Sequence, residues 1–236
     1  MRENVPDQVI DYWCRHMKTN AVQPSLADRG RSLSSRERLL EVAARHFAEH
    51  GIQGASQRAI QREVGVNNST ANYYFGSKEA LYRAVIEAAL SGIQIERRRG
   101  LEEIPANLPP RKRTRALLNA YLAPHLRATR TEVGYNYSRI LAGLHLAAPD
   151  AAVSLIEELV TPVRELYVDA LSKLFPSASR NRIYEVLRLA VALMVMGPIQ
   201  LGETQLTDVA IERITDDIVT VATSAFETLC GSKPKA

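Results

Sequence analysis

The chain has 236 residues, 46% of them hydrophobic and 24% charged, with 30 Lys/Arg against 26 Asp/Glu for a net charge of +4. That is an ordinary globular composition, long enough for one large or two modest domains. No apolar run reaches membrane length, the N-terminus lacks the apolar stretch of a signal peptide, and the only two cysteines, Cys14 and Cys230, lie at opposite ends; together these argue against a membrane partner and a disulfide framework and for a cytoplasmic protein.

Residues 1–33 have little periodicity, with Pro6, Pro24 and Gly30 scattered through them, and read as a mobile N-terminal extension. Within it, Val9, Tyr12 and Trp13 share the face of one possible short helix, and Arg29 and Arg31 stand where a basic arm can lie in a minor groove.

Regular structure is expected from Ser34. Ser34 and Glu37 fit a capping box, Leu40, Ala43, Ala44 and Phe47 repeat at helical spacing, and Gly51 is placed to stop the helix. Ser56 then caps a short helix carrying Ala59, Ile60 and Val64, and Gly65 follows where a helix end calls for a left-handed residue. Asn67 caps the next helix, which runs to about Tyr74. Val66, Thr70 or Ala71, and Tyr74 face inward on this reading, and Asn68, Ser69, Asn72 and Tyr73 face out. Phe75 and Gly76 end it, and Ser77 caps a fourth helix from Lys78 to about Ile93. The middle helix carries small and polar residues where a buried helix would carry Leu and Ile. A major groove admits one α-helix and is read by side chains of that kind.

Residues 34–90, with Phe47 and Gly51, the Gly65-Val66 turn and the tail YYFGSKEALYRAV, resemble the DNA-binding domain of the tetracycline-repressor (TetR) family of bacterial transcription regulators. Many members carry Tyr where this chain has Asn72, which bears on base preference and not on fold. The resemblance implies a recognition helix from Asn67 to Tyr74, a double-stranded operator as partner, and base-edge contacts from Asn68, Ser69 and Asn72. Asn suits adenine N6/N7. It further implies a thymine methyl or phosphate for Tyr73, a phosphate for Thr70, a base for Arg58 and a phosphate for Lys78, which also sits at a helix N-terminus. Charge placement agrees: residues 34–99 carry ten Lys/Arg and seven Asp/Glu, whereas residues 100–236 carry fifteen of each.

Arg97, Arg98 and Arg99 read as a solvated helix end, and LEEIPANLPP as a connector. Beyond it the pattern is helical throughout: Thr114–Thr129 with Pro124 as a kink, Thr131–Ala147, a helix capped by Asp150 and bent at Pro162 to about Phe175, Arg180–Met196 ended by Gly197-Pro198, and about Leu206–Leu229. The expected fold is all-α, with a helix-turn-helix domain over 34–93, a larger helical ligand-binding and dimerisation domain over 94–230, and a tail from 231.

LRLAVALMVMG, Leu187 to Gly197, is apolar nearly all round and needs cover on every side. Two copies of it with two copies of the last helix would form a four-helix dimer interface, as the family does, with Leu187, Ala190, Val191, Met194, Ile218, Ala222 and Ala225 as candidates. The resemblance also implies a ligand pocket, for which Tyr121, His125, Tyr137, Arg139 and His145 are candidates; Arg139 would meet an effector carboxylate or phosphate. The implied effector is a lipophilic small molecule, fatty-acyl or aromatic. No H-E-x-x-H, C-x-x-C, phosphate loop or G-x-S-x-G is present, so no catalytic residue, metal or cofactor is expected. Two rival readings are a helical enzyme using His125, His145 and Glu157, and a DNA-binding dimer that senses no small molecule.

Overall fold

A computed structural model describes residues 34–147, 150–200 and 207–231. Among these residues every regular element is a helix: α1 (Ser35–Gly54), α2 (Gln57–Val64), α3 (Asn68–Phe75), α4 (Lys78–Glu102), α5 (Pro110–Ala128), α6 (Glu132–Ala147), α7 (Asp150–Leu174), α8 (Arg180–Gln200) and α9 (Asp208–Cys230). The candidate short helix near Val9 and the arm with Arg29 and Arg31 lie outside the described residues.

The helix boundaries follow local chemistry. Ser34 and Glu37 form the reciprocal capping box of α1. Gly51 adopts φ +65° and kinks α1, whose last turn continues to Gly54. Ser56, Asn67 and Thr207 cap α2, α3 and α9, and Gly65 ends α2 in the left-handed region. Three boundaries differ from the sequence reading, the first being the start of α5, which lies at Pro110 and not Thr114 because proline suits the first turn of a helix. α4 runs past Ile93 to Glu102, because nothing from Ile93 to Arg99 breaks a helix. α8 runs through Gly197-Pro198 to Gln200: a proline in the last turn forfeits one hydrogen bond and does not by itself stop the helix.

The chain divides into two compact units. Among the described residues, one comprises 34–92 with 128–156 and the other comprises 93–127 with those from 157 onward. α6 falls in the same unit as the helix-turn-helix, where α1 packs against it. The core of this first unit is built from Leu39, Leu40, Ala43, Phe47, Ile60 and Val85, with Phe47 edge-on to Tyr82 at 5.0 Å between centroids. In the second unit α8 packs on α9. Gly100 lets α4 approach α5 closely, since a Cβ there would lie 3.1 Å from that of Ala120.

Candidate functional site

The outward face of α3 is built by its cap and one small buried residue. The Asn67 carboxamide oxygen accepts from the Thr70 backbone N–H at 2.8 Å and from the Thr70 hydroxyl at 2.9 Å. Ala71, 3% exposed, is the buried residue of α3, and its lack of bulk lets the helix backbone sit close to the core. Thr70, Tyr74 and Phe75 are half-buried. Asn68, Ser69, Asn72 and Tyr73 are exposed, Tyr73 at 85%, and the i, i+4 pairs 68/72 and 69/73 put them on one face. Of the two inward alternatives left by the sequence, Ala71 is the core residue and Thr70 completes the cap.

Hydrogen bonding assigns some expected contacts structural work. The Thr70 hydroxyl proton is committed to Asn67, so this group has none left for a phosphate. Asn67 retains only its NH₂. Lys78 Nζ donates to the carbonyls of Gln53 at 3.4 Å and Ala55 at 3.3 Å, tying the start of α4 to the α1–α2 connection and leaving one N–H for an anion. Arg58 is exposed on the first turn of α2.

Two residues escaped the sequence reading. Gln61 is buried on α2, and its Nε2 donates to Asn68 Oδ1 at 3.1 Å across the turn. The bond fixes the Asn68 side chain, leaving its NH₂ and one lone pair to present outward. A polar residue among apolar ones was the available signal. Arg36 lies over the Phe75 ring at 5.2 Å, its Nη1 buried without a hydrogen-bond partner, and burial pulls its pKa down. The guanidinium thus braces the C-terminal end of α3 from the core side. Nothing in the spacing at Ser34–Leu40 marks it.

The second unit holds a buried polar cluster. Arg97 is 3% exposed, which overturns its reading as a solvated helix end: the extended α4 carries it inward. Its Nε donates to the Tyr121 carbonyl at 2.7 Å and its guanidinium lies 4.1 Å from the Tyr121 ring centroid. Tyr167, whose hydroxyl donates to the Arg97 carbonyl at 2.6 Å, packs its ring on Tyr121 at 4.9 Å. His125 is buried, and desolvation with the Arg97 charge pushes its pKa down to about 3. Its folded pKa is therefore depressed below the usual 6.5 of a histidine, and the unfolded chain binds the extra proton. The contribution of this group to stability is fully present above pH 6.5 and is lost progressively as the pH falls toward about 3. Urea denaturation at pH 7 and pH 5 is expected to show this loss, and His125→Gln to flatten it.

The five expected pocket residues do not form one described group. Tyr121 and His125 belong to this cluster. Tyr137, buried, and Arg139, half-buried, are in the first unit. The His145 side chain lies outside the described residues.

The expected interface set is also redistributed. Leu187, Ala190, Met194, Ile218 and Ala222 are buried within a single chain, and Val191 and Ala225 are half-buried. A helix apolar all round must bury one stripe on its own chain and leave another outward, and periodicity alone does not say which. The outward stripe of α8 is Leu189, Ala192, Leu193 and Met196, with Leu189 57% and Leu193 43% exposed. On α9, Val221 is 55% exposed.

A helix-turn-helix carried on further helices defines a class, and comparison assigns it: the profile for bacterial regulatory proteins of the tetR family matches residues 39–85, and that for a tetracyclin repressor-like C-terminal domain matches residues 119–225. The chain belongs to the TetR family. It is 35% identical over 81 residues to the HTH-type transcriptional repressor AcnR of Corynebacterium glutamicum, covering 34% of this chain and 43% of that protein. It is 27% identical over 157 residues to the HTH-type transcriptional regulator BetI of Agrobacterium fabrum, covering 56% of this chain and 75% of that one. The match to AcnR proteins thus spans less than half their length. Mycobacterium smegmatis AmtR has the same fold, with a TM-score of 0.56 at 20% identity over 86% of this chain and 98% of that one. The matched families are regulators, not enzymes. Among the described residues, no helix is long and apolar enough to cross a membrane.

Proposed function

We propose that the protein is a cytoplasmic, ligand-responsive transcriptional repressor that binds a near-palindromic operator as a homodimer. The observation that carries this is the exposed face of α3, with Asn68, Ser69, Asn72 and Tyr73 outward over a buried Ala71. Asn68 and Asn72 offer paired donors and acceptors to base edges, and Ser69 a tolerant hydroxyl. Arg58 and the remaining N–H of Lys78 supply phosphate or base contacts that set register. Similarity to repressors named AcnR supports the sign of regulation.

Dimerisation gives the reader its symmetry, so that two copies of α3 meet successive major-groove faces. The outward stripe of α8 is the surface that supports it. The double variant Leu189→Glu, Leu193→Glu is expected to remain folded, because both side chains are exposed, and to run as a monomer in light scattering. An unchanged dimer mass would move the interface elsewhere.

Release follows from a population shift. The effector must prefer a dimer in which the two reading helices are spaced for no operator, and it acts only through that differential affinity. α4 follows the reader directly, and α6 shares a unit with it through α1, so both can pass on a displacement. A mobility shift on DNA upstream of the gene tests the reading. Binding lost on adding a lipophilic extract supports it, and binding indifferent to every small molecule favours a dimer without an effector.

A further inference from the structure

Arg97 is a buried cation, and no described carboxylate lies against it. Among the described residues no carboxylate pairs with it: its contacts are the Tyr121 carbonyl, the Tyr121 ring and a 3.4 Å approach of Nη1 to Gln94 Oε1. The neighbouring charges are already matched, Arg127 by Glu96 at 2.9 Å and Arg164 by Glu157. A guanidinium taken out of water with one good hydrogen bond keeps donors to spend, and a bidentate carboxylate is the partner its planar fork fits. Burying such a charge unpaired is costly, and an incoming anion recovers part of that cost.

We infer that the effector is a small-molecule monocarboxylate whose carboxylate is bound by Arg97, and that this pairing, rather than one at Arg139, sets effector class. This rests on the ligand-responsive reading above. The charge count selects the class. His125 stays neutral beside Arg97, and Arg164 is neutralised by Glu157, so the site offers one positive charge. A phosphate dianion would lack a second cation.

The test is calorimetric titration of the full-length protein with a panel of straight-chain and aryl monocarboxylates, from butyrate to palmitate and benzoate to phenylbutyrate, each beside its primary amide. At least one acid is expected to bind ten-fold or more tightly than its amide. Arg97→Gln is expected to bring acid and amide within three-fold of each other. Arg97→Lys, which keeps the charge, is expected to retain a preference of intermediate size, separating a lost cation from a damaged fold. Equal binding of acid and amide by the unaltered protein, discrimination that survives Arg97→Gln, or no binding of any acid overturns the inference. Mobility shift of the ligand-free protein is measured alongside: retained DNA binding with no acid preference sinks only the carboxylate assignment, whereas absent DNA binding sinks the regulator reading itself.

Discussion

Gly134→Ala is expected to destabilise the protein by about 3 kcal/mol, lowering Tm by roughly 6–12 °C in a calorimetric scan. The turn between α5 and α6 is closed by Thr131, whose backbone N–H and hydroxyl both donate to the Ala128 carbonyl, at 3.2 and 3.1 Å, and whose hydroxyl accepts from the Gly134 N–H at 3.1 Å. A Cβ on Gly134 would lie 1.9 Å from that same Ala128 oxygen. The clash is with backbone, so no rotamer change relieves it; the turn must open and surrender these bonds. Gly143, on the same helix, is exposed, and a Cβ there meets nothing within 4 Å. Gly143→Ala is therefore expected to stabilise by about 0.5–1 kcal/mol. Opposite signs from two glycines of one helix would show that space, not helix propensity, decides the first.

The triple variant Asn68→Ala, Ser69→Ala, Asn72→Ala is expected to lose at least hundred-fold in operator affinity while keeping its Tm within a few degrees. Asn68, Ser69 and Asn72 are exposed, and α3 is anchored by Asn67, Ala71 and its half-buried aromatics, so the helix survives their removal. Each well-made base contact is worth about 1–3 kcal/mol, and two half-sites lose them together. Residual binding should be salt-sensitive and weak in sequence preference, because the phosphate contact expected of Lys78 is untouched. Gln61→Leu is a finer version: it frees Asn68 from its 3.1 Å bond and should relax preference at one base position without abolishing binding.

Much of this is legible in the sequence alone. Caps at Ser34, Ser56 and Asn67 and the left-handed Gly65 are local chemistry, written in residues three or four apart. The outward set on α3 follows from helical spacing around one small residue. What was not legible depends on the rest of the chain. Arg97 reads as a helix-end cation until α4 is seen to carry it against Tyr121. Leu187 and Leu189 are equally apolar, and only the packing of α8 on α9 decides which of them is core. α6 carries no sign in its own sequence that it packs on α1. Gln61 carries little sign of its role, because its partner, Asn68, lies across a turn.

The central claim is that two copies of α3, one per chain, read two halves of a near-palindrome. Footprinting of the full-length protein on its upstream DNA, with the mass of the complex measured in the same sample, tests this most directly. The expected result is two protected half-sites about one helical turn, or a small multiple of it, apart, occupied by an even number of chains and lost in the Asn68/Ser69/Asn72 triple variant. A single protected tract held by one chain, or a footprint that the triple variant leaves intact, would contradict the account.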